Sequence, residues 1–267
     1  MKNKLESKCI EDFGEQWNYF TENKNYYASK DLFSDICGPN FPLTLIQNAN
    51  VVDVGAGTGR ITRILLDLGA KHVWSVEPSS AMQVLEKNTA DFGTLVTYIN
   101  TKGNDFKINQ SIDLAFSIGV IHHIKYADLT IKNIYNNLKI GGKIVIWVYG
   151  QEGNLLYLCL VIPLRLLTRI MPHKFLLIFS SLLVKPLLIY SSFCKKYNWL
   201  PLSTYIINHL SKLGDEEIQL TIYDQLNPAY SKYYTKAQVL RLLKNAGFIN
   251  ISIHHRHGYS WTVVGDK

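Results

Sequence analysis

VVDVGAGTGR, residues 51–60, sets two β-branched residues, an aspartate and a third valine before glycines at every second position. VVDV reads as a short buried strand, and three glycines within five residues would weaken any continuation of it. ITRILLDLG (61–69) follows with helical spacing and a closing glycine. A strand that ends in glycines and opens a helix brings backbone N–H groups and a helix N-terminus to one ligand. A tight strand-to-helix turn would also explain the glycines, so the flanking sequence has to decide between the two.

The flanks continue the alternation. HVWSVE (72–77) is a second strand, and SSAMQVLEKN opens a helix with a serine cap. TLVTYIN (94–100) and IDLAFSIG (112–119) are further strands; a helix at about 127–138 then leads through Gly141 and Gly142 into KIVIWVYG (143–150). Strands alternating with helices predict an α/β fold with a doubly wound, mostly parallel, Rossmann-like sheet. The pattern stops at 151 and resumes with TKAQVLRLLKNAGF, which has a threonine N-cap, a glutamine three residues on and a closing glycine. INISIHH and WTVVG finish the chain close enough together to pair antiparallel. The expected organisation is a helical, aromatic cap over 1–48, a core over 49–150 and 235–267, and a helical insertion over 151–234.

Glu77 ends the second strand 22 residues beyond Gly55. A carboxylate there stands beside the glycine loop and can accept both hydroxyls of a ribose. The dinucleotide fingerprint G-x-G-x-x-G would need a glycine where Arg60 stands, which counts against a dinucleotide oxidoreductase.

In DVGAGTG (53–59), VEPS (76–79), GNDF (103–106), DLAFSIGVIHHI (113–124), LKIGGKIVIWVYG (138–150) and LLKNAGF (242–248) the chain resembles the class I S-adenosylmethionine-dependent methyltransferases. The resemblance covers about half of the chain. It implies a seven-stranded sheet with its last strand antiparallel, S-adenosylmethionine as methyl donor, S-adenosylhomocysteine as product and no metal. It also implies that Gly55, Ala56, Gly57 and Gly59 approach the methionine part of the cofactor, with Asp53 near its ammonium. Glu77, followed by Pro78, would hold the ribose. Asp105 would accept from the adenine amino group, with Asn104 or Thr101 as alternatives, and the Phe106 N–H would serve the ring. Backbone around Ser117 and Ile118 would meet the amino acid end.

The net charge of +7 is spread along the chain, favouring an anionic small molecule or a membrane surface over nucleic acid. Cys9, Cys37, Cys159 and Cys194 form no CxxC pair and read as reduced thiols of a cytoplasmic protein. The first 17 residues are polar where an apolar leader core would stand.

Acceptor residues are sought beyond the cofactor motifs. His122 and His123 follow the fourth strand, where one of them could act as general base or both could simply pack. Tyr149 stands next to last in KIVIWVYG (143–150) and is a further candidate for the acceptor. In YDQLNPAYSKYY (223–234), Asp224, Asn227 and Tyr230 could grip a polar acceptor or merely pin their own loop. In HHRHGYSW (254–261), strand alternation assigns His255 and His257 to one face and His254 and Arg256 to the other, a hairpin suited to a phosphate or carboxylate. FGEQWNYF (13–20) is an aromatic lid or core.

From 154 to 193 the chain is leucine-rich, with Arg165, Arg169, Lys174 and Lys185 but no carboxylate. Pro163, Pro172 and Pro186 are expected to cut it into pieces too short to span a bilayer. It reads as a lid or homodimer surface within 151–213, or as an amphipathic element peripheral to the inner face of a membrane. The resulting expectation is methyl transfer, with oxygen favoured, to a small polar or anionic acceptor bearing a sugar or phosphate. One alternative is a membrane-surface enzyme acting on a lipid-linked or quinone-like acceptor; another is a non-catalytic cofactor-binding partner subunit.

Overall fold

A computed structural model describes residues 2–168 and 170–267; Arg169 lies outside the described residues. The strands are β1 (Asn50–Val54), β2 (His72–Val76), β3 (Val96–Ile99), β4 (Ile112–Ile118), β5 (Leu138–Tyr149), β6 (Ile249–Arg256) and β7 (Ser260–Asp266). They form one seven-stranded sheet in the order β3-β2-β1-β4-β5-β7-β6. Pairing is parallel from β3 through β5, and β7 runs antiparallel to both its neighbours, β5 and β6. This is the expected doubly wound fold.

The inner strands β1 and β4 and the second half of β5 are mostly apolar and buried because both faces of the sheet are covered there. Val52, Val54, Ala115, Ile144 and Ile146 point to the side packed by α5 (Ala127–Asn137) and α10 (Lys236–Ala246). Val51, Val73, Leu114, Phe116 and Val145 point to the side packed by α2 (Lys30–Cys37) and α3 (Arg60–Asp67). The N-terminal helix α1 spans Lys2–Tyr19, and α4 spans Met82–Asn88. In α10, Gln238 N–H donates to the Thr235 hydroxyl and Thr235 N–H to the Gln238 side chain, the capping box that the spacing predicts. The serine cap on α4 is corrected: the helix is entered through Ala81, and Ser79 Oγ braces the preceding turn by accepting from Ala81 N–H at 3.2 Å.

The insertion consists of α6 (Leu155–Thr168), α7 (His173–Lys196), α8 (Ser203–Asn208) and α9 (Asp215–Leu226). Here the expectation that prolines fragment the chain fails. Pro163 lies inside α6 and Pro186 inside α7; only Pro172 marks a helix boundary. A proline costs its helix one hydrogen bond, but leucine-rich surroundings and packing on a neighbour keep the helix continuous. Helix α7 therefore runs for 24 residues, and its most apolar 18-residue stretch, with a mean hydropathy of 1.8, makes it long and apolar enough to cross a membrane by length and composition. Its inner face packs against α9 and α8 around Val184, Cys194, Ile206 and Ile218. Helix α6 joins a second small core with Leu158, Leu176 and Tyr223.

Candidate functional site

Two adjoining cavities lie at the carboxyl edge of the sheet, where the strand order reverses beside β1 and β4. The first is built on the glycine loop. Gly55 has φ +83°, and a Cβ there would lie 2.5 Å from the Val120 side chain. Gly57 has φ +54°, and its Cβ would stand 3.2 Å from Trp17 Nε1. Both positions therefore require glycine for conformation as well as space. The Glu77 carboxylate is buried and held from two sides, accepting from Gly57 N–H at 2.8 Å and Ser79 N–H at 2.9 Å.

Pro78, Ala56 and Ile118 also line this cavity, as does Asn104 at its far end beside Lys102 and Gly103. Thr130 lines the same end, and its buried hydroxyl has no hydrogen-bond partner. A buried hydroxyl left unpaired at a cavity wall is a place for a ligand to bond, and nothing in the sequence singles Thr130 out. Helix α1 closes the other side through Cys9, Phe13 and Trp17. The aromatic segment thus divides: Phe13 and Trp17 face the cavity, while Phe20 packs on Tyr223.

Five of the residues implicated by the resemblance stand back from this surface, as does the alternative Thr101; Gly59 is one of the five and faces Leu85 and Thr89. Asp53 lies beneath the loop, fully buried, and accepts from Thr62 Oγ1 at 2.8 Å. Burial raises its carboxyl to about 7, against the opposing pull of the Thr62 hydroxyl and Arg60. Asp105 is exposed and accepts from Asn104 Nδ2, while the Phe106 side chain belongs to the core. Ser117 is buried and donates to the Val54 carbonyl at 3.0 Å. Among the described residues no group of three or more His, Cys, Asp or Glu side chains is placed to hold a metal.

The second cavity lies between the sheet edge and the insertion. Its wall is aromatic: Trp147 and Tyr149 from β5, Tyr157 from α6, Tyr205 from α8, then Tyr233 and Tyr259. Trp17, Tyr27, Arg60, Ile118, Gly119 and Asp224 line both cavities, so the two meet there. At the junction Asp224 accepts from Gln16 Nε2 at 2.9 Å and from the Tyr149 hydroxyl at 2.8 Å. Gln225 Nε2 donates to the same tyrosine oxygen at 2.8 Å. His209 is a wall residue the sequence reading missed; its buried Nδ1 has no partner, and burial drops the ring to about 3, so it is neutral.

The two histidines after β4 part company. His123 lines the first cavity and its Nδ1 donates to the Tyr230 carbonyl at 3.0 Å. Burial holds it neutral at about 4, with Asp224 pulling weakly the other way. His122 lines neither cavity; its ring is packed 3.8 Å from that of Tyr149, with neither nitrogen hydrogen-bonded, and burial keeps it well below its usual range. This geometry suits packing, not proton removal.

Of the other acceptor residues, Tyr149, Asp224 and Arg256 reach the second cavity. Asn227 instead donates to the Asp12 carbonyl and the Gln16 side chain, tying α9 to α1, and Tyr230 serves through its backbone. The hairpin reading changes too. Strand β6 ends at Arg256, and His257 turns at φ +49°, so it does not share the face on which His255 stacks against Trp261. Arg256 Nε donates to Asp35 at 2.9 Å, and His257 Nε2 lies 2.9 Å from the same carboxylate. One aspartate from α2 thereby pairs with Arg256 and hydrogen-bonds His257.

Residues 52–146 match the family model of a methyltransferase domain. The ribosomal RNA small subunit methyltransferase A of Nitrobacter winogradskyi is 37% identical over 84 residues, 31% of this chain and 28% of that protein. The matches to curated relatives span 24–36% of those relatives' length. Among solved structures, the S-adenosylmethionine-dependent methyltransferase SibL in its apo form has a TM-score of 0.53 at 13% identity, over 89% of this chain and 55% of that one. The 1,6-didemethyltoxoflavin-N1-methyltransferase of Burkholderia thailandensis, with bound 1,6-didemethyltoxoflavin and S-adenosylhomocysteine, has a TM-score of 0.50 at 15% identity, over 95% of this chain and 87% of that one.

Proposed function

Residues 52–146 being a methyltransferase domain of the class I fold, we propose that the chain transfers a methyl group from S-adenosylmethionine to a hydroxyl of a flat, ring-bearing small molecule. The observation that carries this reading is the junction of the two cavities at Trp17, Ile118, Gly119 and Asp224. The first cavity fits the donor: a glycine cradle with no room for Cβ atoms, a carboxylate fixed by two N–H groups and an unpaired hydroxyl at the far end. Glu77 would accept from the ribose hydroxyls, with the loop backbone at the methionine end and Thr130 near the base. When bound, the cofactor supplies a methyl group already activated on a sulfonium.

The protein then has to align the acceptor and keep water out. Aromatic walls from β5, α6 and α8 hold a flat apolar ring. Trp17 and Phe13 cover the donor side. Asp224 accepts a hydrogen bond from the acceptor hydroxyl, which orients an oxygen lone pair, and its carboxylate takes up the hydroxyl proton as the oxygen becomes methylated. Because Arg256 is paired with Asp35 and Arg60 lies over the Tyr27 ring while donating to the Tyr27 carbonyl, an uncharged ring suits this cavity better than the phosphate-bearing acceptor that the sequence favours.

Methyl transfer from labelled S-adenosylmethionine is measured against a panel of phenols, aromatic amines and sugar phosphates. The phenols are expected to be labelled, with kcat reduced roughly a hundredfold in Asp224→Asn and S-adenosylhomocysteine affinity kept. Labelling of sugar phosphates alone would overturn the acceptor assignment. Cofactor binding without transfer to any of the three classes would favour a non-catalytic subunit.

A further inference from the structure

Helix α7 is apolar on both sides. Its inner side packs on α8 and α9. Its outer side carries Phe175, Ile178, Leu182, Ile189 and Phe193 at helical spacing, each more than half exposed. Lys185 and Lys196 fall in the same row at that spacing, with Lys174 and Lys195 beside it. All four lysines are exposed and, among the described residues, none forms an ion pair. Helix α6 turns Leu160 and Leu167 outward in the same way, and Trp199, just beyond α7, is 78% exposed. Fourteen of the twenty-one exposed large apolar side chains among the described residues fall between 155 and 199. A soluble surface does not concentrate them so.

We infer that α6 and α7 form a docking face for an anionic bilayer, on which the protein lies without crossing. The argument for this occupant is charge. No aspartate or glutamate occurs anywhere from 153 to 214, so the face is apolar and uniformly cationic. A second copy of the chain would set this patch against itself, as a twofold interface requires, and lysines would meet lysines with no carboxylate to pair them. Anionic headgroups supply the missing partners, lipid tails take the leucines, and Trp199 and Tyr197 suit the boundary between them. Crossing is disfavoured by Lys185 in the middle of the row and by the inner side, which is already packed on α9. This inference rests on the insertion alone and stands or falls apart from the methyl-transfer reading.

The full chain is sedimented with phosphatidylcholine vesicles, with and without phosphatidylglycerol, at low and high salt. The expected result is binding to the anionic vesicles only, lost at high salt and lowered about tenfold or more by Lys185→Glu with Lys196→Glu. Leu182→Ser with Ile189→Ser is expected to lower binding as strongly, while both variants keep the wild-type melting temperature and S-adenosylhomocysteine affinity. No binding to anionic vesicles at low salt would overturn the inference, and so would equal binding to neutral vesicles. A dimer in ultracentrifugation that Leu182→Ser breaks would assign the face to a second copy. Resistance of the bound chain to alkaline extraction would mean that it crosses.

Discussion

Leu65 and Leu182 sit in helices of the same chain, yet Leu65 in α3 is 0% exposed and Leu182 in α7 is 69% exposed. The first belongs to a core in which the apolar residues of the inner strands meet helices on one face of the sheet or the other. The second belongs to an insertion that buries only its inner side, in two small clusters. Burial drives folding in proportion to the apolar area removed from water. The core therefore holds the molecule together, while the outward leucines of the insertion contribute little to stability and are free to serve something else.

The strongest test of that contrast is to cut the same residue in both places. Leu65→Ala should cost about 2–5 kcal/mol of unfolding free energy, because a cavity remains inside the packed core. Leu182→Ala should stay within about 0.5 kcal/mol, the usual range for a surface site. Equal losses in urea titrations would mean that the outer side of α7 is packed after all.

A smaller effect sharpens the comparison where the two regions meet. Trp17 lines both cavities and stands over Gly57. Trp17→Ala should weaken S-adenosylhomocysteine roughly tenfold, in keeping with the loss of one large aromatic contact, and should also weaken the acceptor. Calorimetry showing donor affinity unchanged would remove α1 from the site.

The smallest effect is in pH. Burial holds the core's His122 well below its usual range, His123 down at about 4 and the insertion's His209 at about 3, against 6.5 in an unfolded chain. Each takes up a proton more readily when unfolded, so its contribution is whole above pH 6.5 and is lost as pH falls toward 4. Asp53 runs the other way. Burial raises it from 3.8 to about 7, so its contribution is present at low pH and lost as pH rises through 7. Three histidines outweigh one aspartate between pH 6.5 and 4, and the melting temperature should fall by a few degrees across that window. His209→Gln should blunt the fall; a flat or rising profile would contradict the burial of these rings.

The core was largely legible because its signals are local. VVDV with its glycines, Glu77 at the end of β2 and the capping box on α10 each occupy a few consecutive residues or one repeat of the fold. The insertion was not. Pro163 and Pro186 look like breaks in sequence, but each lies inside a leucine-rich helix packed on a neighbour along one side. The acceptor wall was legible only in part, since Tyr205 and His209 reach it from the insertion and Tyr27 from the cap. The pairing of Arg256 with Asp35 joins residues 221 apart, which no local pattern encodes. Glycines and carboxylates that stand next to each other in sequence could be read; side chains that meet only through folding could not.

The most direct test of the account is a calorimetric titration of the chain and of Glu77→Ala with S-adenosylhomocysteine and with NAD. Two hydrogen bonds from ribose hydroxyls to a buried carboxylate, at about 1.5 kcal/mol or more each, make a loss of roughly a hundredfold or greater in the variant. The account predicts binding of S-adenosylhomocysteine, that loss in Glu77→Ala, and no binding of NAD. Binding of NAD alone, or a Glu77→Ala affinity equal to wild type, would contradict it.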